Sequence, residues 1–461
     1  MKTATLSGLS KAKQPTVRKS LAPVLMSATA AFVLGYLIIR GSLPQLLIIL
    51  GGILFLLLLY FRIEWGIGVL IASMLYELPI LPQVDLSLTR VLSLPVFLIC
   101  WLKIFVDQKK IKYDKFKDTV ILLLLVWMIL SYFHAVDVTR VTTGLFTYIQ
   151  LAFTYFTIKT IIDTETKLVK VLLITIGAAL CIGAFTVITM LRQPDALIYS
   201  DSFTQSGRIG GSSFDPNYFA LGLVFMVGIS MYFFLIKHKI FLLPVALFAL
   251  LILSTFSRGG IIGLLIVVSL SILHGAKLGF RSLFRCFVLL SAFFAVALVL
   301  NKGDKIKTRV ESIQDSTTYR TRLDLMVVAL EMGAHNPLWG VGLQNFSYNS
   351  HLYGTMTHYR REAHNGYLEI VATLGVPGML LFCLLLFTIF RDLHDYQIVA
   401  RSNMAEDYIL LARFIEISFW GYLASAFFLS LLMQKLFWVI ITFSSVFSVQ
   451  KDSLIKNTLL E

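Results

Sequence analysis

The chain has 461 residues, of which 57% are hydrophobic and only 14% charged, with a formal net charge of +14. Soluble domains carry about 25% charged residues, so this composition excludes a soluble globular enzyme. The four cysteines (Cys100, Cys181, Cys286 and Cys383) all fall in or beside apolar runs, which argues against both a disulfide framework and a thiolate metal site.

The first twenty residues are basic, with Lys2, Lys11, Lys13, Arg18 and Lys19, and an apolar run follows. The triplet Ala28-Thr29-Ala30 has the small residues of a signal cleavage site, but it lies inside the apolar run. An uncleaved first span is therefore expected. Crossing the hydrocarbon takes about 20 mostly apolar residues, and about 17 make a short span. Candidate spans are Leu21–Ile39, Gln45–Phe61, Trp65–Ile80, Val91–Val106, Val120–His134, Gly144–Ile162, Leu168–Leu191, Tyr218–Ile236, Phe241–Phe256, Gly259–His274, Cys286–Leu300, Tyr367–Phe390, Tyr408–Ser430 and Leu436–Val449. The expected architecture is all-α: a polytopic integral membrane protein of about 12–14 transmembrane helices, with 1–461 forming a single membrane domain.

Short loops rich in Lys and Arg favour the cytoplasm. Lys109, Lys110, Lys112, Lys115 and Lys117 crowd one loop; Lys167 and Lys170, then Lys237 and Lys239, then Lys277, Arg281 and Arg285 mark later ones. Alternation along the spans puts these loops and both termini inside. The long polar interval 301–365 then lies outside. Arg40, Arg90, Arg140, Arg192, Arg208, Arg258, Arg309, Arg320, Arg322, Arg360 and Arg361 fall on the outer side, against only Lys302, Lys305, Lys307 and Lys435. Lysine suffices for a topology signal, whereas guanidinium suits bidentate recognition of phosphate or carboxylate. Contact with lipid headgroups is the plainer explanation of the same pattern.

Four motifs occupy this outer side. Arg208-Ile209-Gly210-Gly211-Ser212-Ser213-Phe214-Asp215-Pro216-Asn217 precedes an apolar span. Pro216 suits the first turn of a helix and Asp215 its cap, and free N–H groups at such a terminus suit an anion. Ser257-Arg258-Gly259-Gly260 leaves only a tight turn between two apolar runs, so Arg258 sits at the membrane boundary, either snorkelling to headgroups or in a site. Within 301–365, Leu323, Met326, Val327 and Leu330 have the spacing of an amphipathic helix, with Ser316 to Thr318 to cap it and Gly333 to end it. A turn-rich segment follows, from Asn336 to Phe346. Finally, His364-Asn365-Gly366-Tyr367-Leu368-Glu369 re-enters the membrane where a lipid-borne group would meet a water-borne one. A histidine there is either structural or a proton acceptor.

These four motifs, in this order, resemble the O-antigen ligase/polymerase family of bacterial envelope proteins. The resemblance covers about 200–380. It is carried by Arg208 with Gly211, Phe214, Pro216 and Asn217; by Ser257 to Gly260; by Arg322 to Leu325; by Pro337, Gly340, Gly342, Asn345 and Phe346; by His364, Asn365, Tyr367 and Leu368; and by Leu374, Gly375 and Gly378. One departure is Met326, where the family often has Trp.

The resemblance implies a GT-C-like, metal-independent glycosyltransferase with no cofactor, in the bacterial cytoplasmic membrane with its active site outside. It would move a glycan from undecaprenyl diphosphate to an acceptor glycan or lipid A core. On this reading His364 is the base and Arg208, Arg258 and Arg322 bind the diphosphate. Asn217, Ser257, Asn345, Asn365 and Tyr367 support them. Membrane lipids are expected partners and nucleic acid is not. Two other classes stay open: a transporter of a small solute such as inorganic carbon, and a non-catalytic member of a polysaccharide export complex. A transporter should carry ionisable groups at mid-span, and these spans are nearly charge-free in sequence.

Overall fold

The computed structural model describes residues 54, 56, 57, 59–76, 79–81, 86–192, 198–199, 208–209, 216–236, 238–274, 316–353, 362–401 and 406–458. The elements run α1 (Ile63–Tyr76), β1 (Pro79–Leu81), β2 (Leu86–Ser87), α2 (Leu88–Val106), α3 (Lys117–Leu130), α4 (Val138–Ile161), α5 (Glu165–Arg192), β3 (Ile198–Tyr199), β4 (Arg208–Ile209), α6 (Pro216–Ile236), α7 (Leu242–Ser254), α8 (Arg258–His274), α9 (Ser316–His335), α10 (Phe346–Asn349), α11 (Gly366–Arg401), α12 (Glu406–Ser425) and α13 (Lys435–Thr458). The expected spans from Val91–Val106 to Gly259–His274, and from Tyr367–Phe390 onward, are helical over most of their length, whereas Trp65–Ile80 is helical only to Tyr76 and its end, Pro79–Ile80, belongs to β1. Leu21–Ile39, Cys286–Leu300 and most of Gln45–Phe61 lie outside the described residues. Two short antiparallel pairings, β1 with β2 and β3 with β4, interrupt an otherwise helical protein.

Among the described residues, five helices are long and apolar enough to cross a membrane: Leu88–Val106, Glu165–Thr189, Pro216–Ile236, Gly366–Arg401 and Glu406–Phe428. Helix α6 is apolar on every side and buried along almost its whole length, as a helix without a polar face must be. It packs against α7, α8 and α12. Small residues set the approach: a Cβ on Gly228 would collide with Ser418 of α12, and one on Gly263 of α8 with Ser425. Close backbone contact of this kind replaces the hydrophobic drive that is absent between helices in lipid. Around this centre the outer helices turn large apolar side chains outward, among them Leu94, Leu98 and Phe105 of α2, Phe146 of α4 and Phe185 of α5. These faces suit hydrocarbon.

One end of the bundle collects the loops 107–116 and 162–164, joined by Lys109–Asp163 at 3.2 Å, with the start of α12, where Tyr408 meets Thr166; it holds ion pairs at the ends of the apolar runs. Lys117 is fully buried, with its Nζ 2.7 Å from Asp392 Oδ2 and donating to Ser444 and Ser445 at 2.6 and 3.1 Å. Lys159 donates to both oxygens of buried Asp118 at 2.8 and 2.9 Å, and Tyr155 donates to Asp118 at 2.6 Å. Of these charged residues only Lys159 falls within an expected span; Lys117, Asp118 and Asp392 lie just beyond the ends of theirs. The charges are paired across α3, α4, α11 and α13, so each is compensated as burial demands. Of the cysteines, Cys100 is buried, whereas Cys181 and Cys383 are exposed on helix faces; Cys286 lies outside the described residues.

Candidate active site

At the opposite end the starts of α6, α8, α11 and α13 converge with the end of α12. Pro216 is the first residue of α6, as its fixed φ favours. Ser257 is buried and caps α8, its Oγ accepting from the Gly260 amide at 3.2 Å. This places Arg258, the first residue of α8, at an exposed position. Gly259 behind it lies against Phe428, and Ser425 Oγ donates to the Gly259 carbonyl at 2.9 Å.

The start of α11 packs on the same segment. Gly366 abuts the Leu429 carbonyl and Leu431. Asn365 is buried and caps the helix, accepting from the amides of Tyr367 and Leu368 at 3.1 Å each. Tyr367 donates its hydroxyl to the Leu423 carbonyl at 2.8 Å, and Ser430 donates to Glu369. His364 is fixed between this cap and Ala363, which is buried among Leu325, Val328 and Met332. His364 has φ of +49°, a left-handed conformation that costs a non-glycine residue roughly 1–3 kcal/mol and persists only where its surroundings hold it.

Helix α11 is broken at Gly375, with φ +69° and ψ −171°. The break exposes backbone groups, and the turn 337–342 takes them up. Val341 donates to the Ala372 carbonyl at 2.8 Å, Gly342 to Thr373 at 3.0 Å, and Val376 to Pro337 at 2.7 Å. Trp127 of α3 donates to the Leu374 carbonyl at 2.8 Å and stacks on Trp339, which also stacks on His134. Gly340 has φ of +63°, and a side chain there would run into the Thr373 backbone. The turn motif and the Leu374-Gly375 motif are thus one structure: a loop docked into a helix break beside His364. Asn345 completes it, accepting from the Asp137 amide at 2.9 Å and donating to its carbonyl at 3.0 Å.

Helix α9 flanks this assembly and carries Arg322. Its buried face differs from the expected one. Leu325, Val328, Ala329 and Met332 pack towards α11, while Leu323, Val327 and Leu330 face outward. The helix also runs through Gly333 to His335, because Gly333 is needed for close approach to Val371, not for a stop. Arg208 has its backbone in β4 opposite Tyr199; its side chain and Asp215 lie outside what is described. Asn217 is buried in the first turn of α6.

Residues 243–383 match the family model described as O-antigen ligase. The match covers under a third of the chain and supports a likeness to the O-antigen ligase family over that region. The match takes in Arg258, Arg322, the docked turn, the Gly375 break and His364; Arg208 and Asn217 precede it. No curated protein matches the chain. The O-antigen ligase family and the apolar helices make this a bacterial inner-membrane protein, of a family that acts on polyprenyl-linked glycans and their acceptors.

Two features of this region have no motif to betray them. Arg140, at the start of α4, pairs with Asp137 at 3.2 Å and lies over the Tyr348 ring. Glu362, two residues before His364, has its carboxyl raised above the ordinary range by surrounding protein, and the charge of Arg140 pulls it partly back. An outer arginine in a short loop was the available signal for Arg140. The second feature is a cavity of about 250 Å³ between α1, the start of α6 and the start of α13, lined among others by Met74, Tyr76, Tyr218, Gly222 and Gln434.

Proposed function

We propose that the protein is a membrane glycosyltransferase that moves a glycan from an undecaprenyl-diphosphate carrier to an acceptor hydroxyl on the outer face of the membrane. It would act as a ligase or a polymerase. The observation that carries this reading is that Gly259, next to Arg258, and Gly366, two residues from His364, both pack on one stretch, Ser425–Leu431, while α9, which carries Arg322, packs on Ala363. A fixed guanidinium and an imidazole at the membrane boundary suit a lipid diphosphate below and an acceptor hydroxyl above. In this reaction the hydroxyl oxygen bonds to the anomeric carbon as the bond to the diphosphate oxygen breaks. His364 takes the hydroxyl proton, and the diphosphate leaves with the bonding pair. Arg258 and Arg322, joined by Arg208 from the β4 segment, hold its growing charge. Asn217, Ser257, Asn345, Asn365 and Tyr367 act by shaping the backbone around these groups. The whole chain serves as one membrane domain, with 200–380 as its catalytic region and 301–365 as its outer loop.

The test is transfer by purified protein in lipid nanodiscs, supplied with lipid-linked oligosaccharide and with or without lipid A core. A positioned base contributes about 10²–10⁴-fold, so His364→Ala should slow transfer by that order while donor binding survives. A His364→Ala protein that inserts normally and transfers at near wild-type rate removes the base assignment.

A further inference from the structure

Helix α9 leaves one apolar face uncovered. Leu325, Val328, Ala329 and Met332 are buried towards α11, but Leu323, Val327 and Leu330, on the far side, are 42%, 50% and 55% exposed. Ala334 continues this strip, which carries no charge. At about 100° per residue, Asp324 and Glu331 lie together on one flank of the helix, and Arg322 and Met326 on the other. An exposed apolar strip of this kind marks contact with a partner protein or with a membrane.

Depth decides between the two. Helix α11 has no charged residue between Glu369 and Arg391, and the 21 residues 370–390 reach about 31 Å at 1.5 Å per residue, the thickness of the hydrocarbon. The outer edge of the hydrocarbon therefore falls near Val371. Gly333 of α9 packs on Val371, and the turn that follows α9 docks at Ala372 to Val376. Trp127 bonds to α11 at this level and stacks on Trp339, and tryptophan is enriched at the membrane–water boundary. The strip also runs on into lipid-facing surface. Leu338, 61% exposed, has its carbonyl against Gly375, and the next residues outward on α11 are exposed Val376 and Leu380.

We propose that α9 is seated in the outer leaflet, with Leu323, Val327 and Leu330 against the acyl chains of bilayer lipids just below the headgroups. Interfacial helices bury an apolar face about 5–10 Å into this boundary while a polar side stays wet. Asp324 and Glu331 supply the wet side, which turns Arg322 towards the headgroup layer. On the glycan-transfer reading above, that is the level at which a lipid diphosphate arrives; the seat itself needs no such reaction.

The test uses the full chain in nanodiscs, with Cys181, Cys286 and Cys383 replaced by alanine and buried Cys100 kept. A bimane probe on Leu330→Cys should lose as much emission in dibrominated phosphatidylcholine as one on Leu380→Cys, and should resist aqueous iodide. A probe on Glu331→Cys, the adjacent residue, should show the reverse, like one on exposed His351→Cys. Val327→Cys repeats the measurement if Leu330→Cys melts below its parent protein. Quenching of the strip probes by iodide and not by bromolipid places the strip in water and overturns the seat. Protection from both quenchers assigns the strip to a protein contact and overturns it equally. None of these readings uses turnover, so the bromolipid pattern in a protein that transfers no glycan keeps the seat and removes the transferase reading.

Discussion

At the residue scale, charge and geometry separate roles that composition merges. Arg258 stands at an exposed helix start with its neighbours fixed: Ser257 as cap and Gly259 against Phe428. If it clamps a diphosphate through two parallel N–H groups, Arg258→Lys keeps the charge and loses the fork. Transfer by Arg258→Lys should fall at least tenfold, about the 1.4 kcal/mol expected for one charge-assisted bond. Unchanged turnover would mark Arg258 as a snorkelling residue. The expected supporting residues Ser257, Asn345, Asn365 and Tyr367 all spend polar atoms on backbone groups of the protein. Their residue types are explained by the turns and caps they form beside Arg258 and His364.

At the element scale, the break in α11 is the feature on which the site depends. A helix opened at Gly375 leaves carbonyls that lipid cannot satisfy, and the 337–342 turn together with Trp127 satisfies them. Gly340→Ala puts a Cβ into the Thr373 backbone at a positive φ, so it should cost more than about 2 kcal/mol and undock the turn. Thermal unfolding in detergent should show the loss, and transfer should fall with it. Gly177→Ala in α5 is the control. A Cβ there meets nothing within 4 Å, and alanine favours a helix by up to about 1 kcal/mol over glycine. Equal melting temperatures for Gly340→Ala and wild type would show that the turn does not depend on this contact.

At the scale of the whole molecule, the 24-residue α4 separates Asp137, bonded to Asn345, from Asp163, bonded to Gln450, so His351 and Ser453 lie towards opposite ends, both exposed. Lysine-rich loops lie at the Ser453 end, so that end should be cytoplasmic. In intact spheroplasts an impermeant thiol reagent should label a cysteine at 351 and spare one at 453; the reverse pattern would invert the protein. The lysine-rich end also sets a pH dependence. Burial works to raise the Asp163 carboxyl, but the Lys167 hydrogen bond and the charges of Lys109 and Lys167 prevail, and its pKa is lowered. A carboxyl with a folded pKa below its unfolded value contributes stability above the unfolded value and loses it as pH falls through the folded one. Acidification below the ordinary carboxylate range should therefore lower the melting temperature less in Asp163→Asn than in wild type. Identical acid profiles would show that the Lys109–Asp163–Lys167 cluster adds no stability.

Runs such as Tyr218–Ile236 made the helices and their membrane setting legible, because hydrophobic burial depends on composition over a whole turn and not on partners. Glycines and caps likewise announced Ser257–Gly260 and His364–Gly366, since left-handed or capped backbone admits few residue types. Partnership was not legible. The pairing of Lys117 with Asp392 joins residues far apart in the chain, and a basic loop end reads the same whether solvated or buried. Helix α9 carries apolar residues on two faces, so its 3.6-residue period did not choose between Leu323–Leu330 and Leu325–Met332; contact with α11 did. The docking of 337–342 into the Gly375 break exists only once distant segments meet. Local sequence fixes which backbone conformations are affordable, while which polar groups meet and satisfy one another is decided by tertiary packing.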